Sequence, residues 1–463
     1  MSQRRKFLKQ LGGSALFLSA GSLKTLAAQE QRERIILAQE KNYSPNDKIR
    51  IAGIGMGIMG YNDVNDAIKV PGVELAACCD LYDGRLKRAR ELYGDQIEIP
   101  KHYEKILERK DIDAVIIATS DNWHSQICID AMNAGKHVYT EKPMVHRVNQ
   151  GWDVIHAQQQ TKKVLQVGSQ GISSIVFAKA KEMYQQGDIG KINSVEAVFN
   201  RQSALGAWEY TIPPDASPQT VDWDRYQQNA DKKYLWDEKR FFWWRNYREY
   251  GTGVAGDLFV HLLTGLHFIT NSKGPEKIYS IAGLTYWKDD RNVPDVMTAV
   301  LKYPETADHP EFQVTLRVNF VSGEGETGYT KITGTEGVLE LQGDSFTIKR
   351  SKMARAPGIG GWDSLDTYPK AMQKELLDAY SRKWSQADQQ QPTLKDITYA
   401  APEKYDAHYE HLLNFFNSIR TGAPVVEDAM FGLRAAGPCL SCNESYFQNK
   451  VIYWDAEKIR QVG

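Results

Sequence analysis

Short apolar runs separated by helix-length amphipathic stretches dominate the first third of the chain. Ile49 to Ile54, Val73 to Cys79, Ala114 to Ala118, His137 to Thr140 and Val164 to Gly168 read as buried strands. Helical patterns lie between them, at Asp63 to Val70, Ser125 to Asn133 and up to about Gln160. Strand and helix alternating at this spacing predict a parallel, doubly wound sheet over residues 47–168. After Gly168 the pattern changes. Lys191 to Arg201, Lys277 to Trp287, Asp295 to Tyr303, Phe312 to Phe320 and Gly328 to Thr333 are strand-like runs rich in Val, Ile, Thr and aromatic residues. Helical patterns return at Ala178 to Gln186 and Asp406 to Thr421. The boundary near residue 169 is therefore a change of architecture and not a linker, with a second α/β domain expected over 169–463.

Length agrees with this division: 463 residues allow about two or three domains. Charge narrows the partners. Lys plus Arg is 57 against 58 for Asp plus Glu, so nothing in the balance points to nucleic acid. Five cysteines are too few for a disulfide scaffold, and Cys439 and Cys442 read as core residues of a late helix. The start of the chain reads as an address. Arg4-Arg5, then Phe7-Leu8-Lys9, then a weakly apolar run to Leu26 and small residues at Ala27-Ala28 resemble a twin-arginine export signal over residues 1–28. Residues 29–46 read as a linker. The apolar run is shorter than the roughly 20 residues of a membrane span, so a protein without a membrane span, exported to the periplasm, is expected.

The first strand runs into Gly55-Met56-Gly57-Ile58-Met59-Gly60. G-x-G-x-x-G is weak evidence alone, but here a strand precedes it and a helix can follow. Gly55 permits a tight turn, Gly57 lets backbone approach a pyrophosphate, and Gly60 lets helix and strand pack closely. The pyrophosphate would sit on the helix N-terminus, among Gly57, Ile58 and Met59. Asp80 ends the second strand and suits ribose hydroxyls, which favours NAD over NADP, although Arg85 lies nearby. Turns at strand C-termini, Thr119 to His124 and Glu141 to Pro143, should line the cofactor cleft.

Ala118-Thr119-Ser120-Asp121-Asn122-Trp123-His124, then Ala134-Gly135-Lys136-His137-Val138, then Glu141-Lys142-Pro143 resemble the Gfo/Idh/MocA oxidoreductases, the relatives of glucose–fructose oxidoreductase and inositol dehydrogenase. Gly334-Thr335-Glu336-Gly337 and His411-x-x-Asn414-Phe415 extend the resemblance downstream. It implies an N-terminal Rossmann domain followed by an α/β domain with a large, mostly antiparallel sheet. One face of that sheet covers the nicotinamide, and an open face suits a homo-oligomer contact. By the same resemblance Thr119, Ser120, Asn122, His124, Glu141 and Lys142 line the cofactor side.

Hydride transfer at a secondary alcohol needs a base for the hydroxyl proton and a donor that holds the oxygen as charge develops. Lys142, just past a strand end, suits the electrostatic and proton-handling role that the resemblance implies. Asp257 and His261 are four residues apart and would share one helix face. The resemblance makes His261 the general base, with Asp257 orienting it or binding a neighbouring hydroxyl. His267 is the rival histidine. An Asp and a His at this spacing could also ligate a metal, but no H-e-x-x-H pattern and no Cys/His cluster supports one, so no metal is expected.

Between Gln202 and Tyr250 lies an insertion with little periodicity, holding five of the 11 tryptophans: Trp208, Trp223, Trp236, Trp243 and Trp244. Aromatic faces with interleaved Arg245 and Arg248 suit a sugar; packing of a long loop is the competing account. Val221-Asp222-Trp223-Asp224 and Trp244-Arg245 are similar to exported, Bacteroidetes-type members of the family. The expected activity is NAD-dependent oxidation of a secondary hydroxyl of a sugar or glycoside, with C3 as a candidate position and the cofactor tightly bound. The alternative is an NAD-dependent glycosidase working by oxidation, elimination and reduction.

Overall fold

The structure, a computed structural model, describes residues 48–462. The export signal of residues 1–28 and the linker of residues 29–46 lie outside the described residues. The glycine loop joins strand β1 (Ile49–Ile54) to helix α1 (Ile58–Ala67). Then follow β2 (Val73–Cys79), α2 (Asp83–Tyr93), β3 (Ala114–Ile117), α3 (Asp121–Asn133), β4 (His137–Glu141), α4 (Gly151–Thr161) and β5 (Leu165–Gly168). The five strands form a parallel sheet ordered β2-β1-β3-β4-β5. Every residue of β3 is buried, as both faces of a parallel sheet carry helices. The order reverses between β1 and β3, where the C-terminal ends diverge and a cleft opens.

The second sheet has ten strands. After α5 (Ile175–Gln185) comes β6 (Ile192–Asn200). The long insertion and helix α6 (Val260–Thr270) follow, then β7 (Lys277–Gly283), β8 (Val296–Tyr303), β9 (Phe312–Asn319), β10 (Thr327–Gly334), β11 (Gly337–Gln342) and β12 (Ser345–Arg350). An arm with helix α7 (Lys370–Lys383) leads to β13 (Ile397–Ala400). Helices α8 (Ala407–Thr421) and α9 (Ala429–Gln448) precede β14 (Ile452–Asp455) and β15 (Arg460–Val462). Only β6 and β9 pair in parallel; every other neighbouring pair is antiparallel. A parallel pair needs a crossover, and that crossover contains the insertion and α6. In β9 buried and exposed positions alternate strictly up to Val318, so one face lies on the core and the other is open. Ile281 and Val300 stand on the open face, 61% and 50% exposed.

The chain does not leave the Rossmann unit at Gly168 for good. Leu412, Phe415 and Phe416 of α8 are fully buried in the same cluster as Ile49, Ile51, Val64 and Ile116. Gln166 Nε2 donates to the carbonyl of His411 at 2.7 Å, and the His411 ring meets the carbonyl of Val167 at 2.7 Å. The first domain is thus completed by a helix more than 200 residues downstream, which strand-and-helix alternation alone does not announce.

Candidate functional site

Helix α1 starts at Ile58, five residues earlier than the apolar pattern suggests, because the glycine loop flows directly into its first turn. Gly55 has a φ of +88° and lies against the backbone of Ala118 and Thr119. A Cβ on Gly60 would stand 1.9 Å from the Gly55 carbonyl oxygen, so this position admits only glycine. A Cβ on Gly57 would meet open space, on the side where a pyrophosphate would approach. No side chain caps the helix at Gly57, so its first N–H groups and its dipole are available to an anion. Ile58 and Met59 line the opening, Ile58 61% exposed. Asp80 accepts from the amides of Met56 and Tyr82 at 2.7 and 2.9 Å, which fixes its carboxylate at the end of β2. These observations fit a dinucleotide.

Arg85 pairs with Asp80 at 3.4 Å and lies over the rings of Phe241 and Phe242. That contact introduces the insertion. Asp83 N donates to Thr220 O at 3.0 Å, Asp222 N donates to Leu81 O at 2.9 Å, and Tyr82 Oη donates to Asp215. Arg225 pairs with Glu104, and Trp123 Nε1 donates to Tyr226 O at 2.9 Å. The insertion is a strap bound across the end of the Rossmann sheet. Its aromatic residues are spent largely on that task. Trp223, Tyr226, Phe241, Phe242, Tyr247 and Tyr250 form one buried cluster with Tyr82, and Trp208 is buried against Phe320. Of the two accounts of the segment, packing of a long loop is the one these rings follow. The rings fill a core of their own, because a segment this long with no regular ladder needs apolar burial to hold its shape. Trp236, Trp243 and Trp244 are half-buried at the margin of that cluster, with Lys239 over the Trp243 ring at 5.4 Å and Arg245 over the Trp244 ring at 4.2 Å.

At the other end of the cleft Lys142 follows β4 and reaches across to the second domain. Its Nζ donates to Asp257 Oδ1 at 2.9 Å and to the Asp257 carbonyl at 3.0 Å. Arg245 Nε donates to the same Oδ1 at 3.1 Å. Burial opposes the charge on Asp257, but Lys142, Arg245 and Arg201 overcome it and hold the carboxyl well below the usual carboxylate range. Asp257 lies in a π-helical turn, Ala255–Phe259, that runs into α6. The wider i→i+5 turn is a feature often found at functional sites. It places Asp257 and His261 on the same side, where both Lys142 and Asp257 act on the imidazole. Burial, together with Lys142, pushes His261 down to about 3, so the ring is neutral and its hold on a proton is weak in this state.

Two stitches hold the lobes in this register. Asp121 Oδ2 accepts from Thr252 N and Oγ1 at 2.9 and 2.7 Å, and Asn122 N donates to Tyr250 O at 3.2 Å. Ser120 Oγ donates to Asn122 Oδ1 at 2.8 Å, which leaves the buried Asn122 Nδ2 without a partner among the described residues. Thr119 stands half-buried at the C-terminal end of β3, its hydroxyl on the Ser120 carbonyl. His124 turns inward: its ring nitrogens meet the carbonyls of Pro143 and Thr119 at 2.8 and 3.1 Å, bracketing the Lys142 turn against β3. Glu141 also turns from the cleft, accepting from Gln170 Nε2 at 2.6 Å. His267 is 1% exposed and bonded to Tyr303 Oη at 2.8 Å, a core histidine. All five cysteines are buried and free. Sequence reasoning missed the convergence of Arg245 and Arg201 on Asp257; their only signal was an arginine directly after a tryptophan and another at a strand end.

The family model for the NAD-binding Rossmann fold of the Gfo/Idh/MocA oxidoreductases matches residues 49–169, and the model for their C-terminal domain matches residues 218–340. Glycosyl hydrolase family 109 protein 1 of Akkermansia muciniphila is 26% identical over 235 residues, 43% of this chain and 48% of that protein. An alpha-N-acetylgalactosaminidase of Shewanella oneidensis is 36% identical over 124 residues, 25% of this chain and 27% of that protein. The chain thus spans less than half the length of these relatives. Among solved structures, the WlbA dehydrogenase of Chromobacterium violaceum, in complex with NADH and UDP-GlcNAcA, superposes with a TM-score of 0.61 at 20% identity. That match covers 88% of this chain and 96% of the dehydrogenase. With one model on each of the two domains whose side chains meet at Lys142 and Asp257, this chain belongs to the Gfo/Idh/MocA family of NAD-binding oxidoreductases.

Proposed function

We propose that the protein oxidises a secondary hydroxyl of a sugar or glycoside with an NAD that stays bound between turnovers. The observation that supports this most directly is the Lys142–Asp257 contact at 2.9 Å across the lobes, with the neutral His261 beside it. A nicotinamide dinucleotide held by the loop of Gly55, Gly57 and Gly60 and by Asp80 would supply the hydride acceptor, with a second sugar as the final acceptor when the product is a ketone. His261 takes the hydroxyl proton. Lys142 holds the oxygen as it becomes a carbonyl, and Asp257 with Arg245 orients Lys142 and receives neighbouring hydroxyls. Trp244 offers a flat face to the ring C–H groups.

A glycosidase outcome is the second reading, favoured by the names of the curated relatives. Oxidation at C3 acidifies the C2 proton; its removal expels the anomeric substituent, water adds, and reduction at C3 closes the cycle as net hydrolysis. The closed cycle suits an exported protein, since free NAD is scarce outside the cytoplasm. Arg4-Arg5 and the apolar run that follows support export by the twin-arginine route with the cofactor already in place. The strap across the Rossmann sheet supports retention. The open face with Ile281 and Val300 supports a homo-oligomer. No described helix is long and apolar enough to cross a membrane.

Incubation with a panel of glycosides, with products read by mass, tests the proposal. Loss of two hydrogens marks a ketone and loss of the aglycone marks cleavage. Unchanged glycosides throughout, from protein carrying nicotinamide, would reject both.

A further inference from the structure

Arg245 and Arg201 carry more N–H groups than the protein uses. Arg245 spends Nε on Asp257 Oδ1 at 3.1 Å, and among the described residues nothing accepts from its Nη1 and Nη2. Arg201, just past β6, spends Nη1 on the Gly206 carbonyl at 2.8 Å, and its Nε and Nη2 have no acceptor among the described residues. None of these nitrogens is sealed from solvent. Aromatic rings take up the flat faces of both guanidinium groups. Arg245 lies over Trp244 at 4.2 Å, and Arg201 over Phe199 and Phe320 at 5.2 and 5.5 Å. Rings on the faces leave the edges, which carry the N–H groups, free for an acceptor. The two side chains are neighbours. Gly206 holds Arg201, and the carbonyl of the next residue, Ala207, accepts from Asn246, the residue after Arg245, at 3.4 Å.

The carboxylates around the pair are committed. Asp257 serves Lys142 as well as Arg245. Asp121, Glu141 and Glu326 face the two arginines from further off. Thr252 holds Asp121, Gln170 holds Glu141, and Ser203 holds the exposed Glu326 at 3.1 Å. Among the described residues Arg245 has no ion-pair partner but Asp257, and Arg201 has none. A guanidinium kept half-buried without a carboxylate of its own is costly unless a ligand supplies one. Resting on the NAD-dependent sugar reading above, we infer that the sugar carries a carboxylate, as a hexuronic acid or its glycoside does, and that Arg245 and Arg201 take it with the N–H groups the protein leaves unused. A planar carboxylate and a planar guanidinium match through two parallel hydrogen bonds. Position selects the unit of the sugar. Arg245 touches the same oxygen of Asp257 that Lys142 touches, so an anion on its edge belongs to the ring being oxidised and is attached directly to it, as a C5 carboxyl is. Asp257 Oδ2, which neither cation takes, remains for a hydroxyl of that ring.

The test is calorimetry on the protein loaded with NADH, with methyl pyranosides offered in pairs, each hexose beside its 6-carboxylate, in the gluco, galacto and manno series. At least one pair should favour the acid by about 30-fold in Kd. Turnover with NAD+ should favour the same acid in kcat/KM. Arg201→Gln should reduce the acid-to-neutral ratio to about threefold, the ratio and not either affinity being the readout. Arg201→Lys keeps the charge and loses the fork; it should leave an intermediate ratio, and it serves if the first variant does not fold. A neutral hexose that binds as well as its acid in every pair, no acid binding in any pair, a preference untouched by both substitutions, or a 6-sulfate favoured over the 6-carboxylate would overturn the uronate assignment. Oxidation of the neutral hexoses would stand in each case. Failure to bind NADH, read by fluorescence, or no turnover of acid and neutral sugars alike, would instead overturn the reading on which the assignment rests.

Discussion

The two ends of the dinucleotide cleft are built from opposite materials. At the nicotinamide end the contacts are ionic. Lys142, Arg245 and Arg201 converge on Asp257, Lys142 being 9% and Asp257 7% exposed. At the adenosine end Asp80 and Arg85 make a longer ion pair at 3.4 Å, Arg225–Glu104 and Tyr82–Asp215 tie the strap down at its rim, and a buried cluster of aromatic rings with backbone hydrogen bonds fills the rest. The difference teaches a division of labour. Charge in a buried site is worth most where charge develops during reaction. Apolar area and shape are worth most where a ligand has only to be kept.

If that division holds, substitutions at the two ends should affect different constants. The largest effect is expected for Lys142→Ala, about a 10³-fold loss of kcat in single-turnover assays with NADH affinity retained. A parallel loss of cofactor binding would show that the lysine holds the dinucleotide and would blur the two ends. Next comes His261→Ala, about a 10²-fold loss of kcat with sugar binding kept. Turnover equal to the parent would remove the imidazole from the base role. At the opposite end Tyr82→Phe removes the bond to Asp215. It should speed release of NADH about fivefold in stopped-flow fluorescence, the equivalent of roughly 1 kcal/mol, with kcat unchanged. A changed kcat with unchanged release would invert the comparison.

The smallest effect concerns an acid behind the site. Burial pushes Glu427 up to about 8 against the opposing pull of the Ser169 hydroxyl and amide. The unfolded chain loses that proton near 4.5, so between about pH 4.5 and 8 the folded state binds more protons. The contribution is fully present below 4.5 and is lost as pH rises through 8. Glu427→Gln should therefore match the parent in stability at pH 4 and exceed it by about 1 kcal/mol at pH 5.5, as read from melting curves. Equal melting curves at both pH values would mean that water or a cation reaches the carboxyl.

Much of the nicotinamide end was legible in the residues. Gly55, Gly57 and Gly60 have backbone requirements that a pattern can state, and Lys142 follows a strand whose apolar run is unmistakable. Asp257 and His261 were placed on a shared face by spacing, although a π-turn and not a regular helix achieves it. The aromatic insertion is harder to read. Aromatic composition does not say whether a ring faces a ligand or another ring, and Trp223, Tyr226 and Phe242 face one another. Arg245 was hidden for another reason: it meets Asp257 through the irregular backbone between them, which no periodicity encodes. The strands β11 to β15 went unread because they are short and half-exposed, so their alternation is weak.

Helix α8 gives the molecule an order of events. Until Leu412, Phe415 and Phe416 have been synthesised, one flank of the β1–β3 layer lies open to water, and a fragment ending at Gly168 would expose Ile49, Ile51 and Ile116. Docking of a dinucleotide onto the finished glycine loop therefore waits for nearly the entire chain to leave the ribosome. A translation product that ends before Leu412 lacks the side chains that close this layer, and its glycine loop rests on an exposed flank.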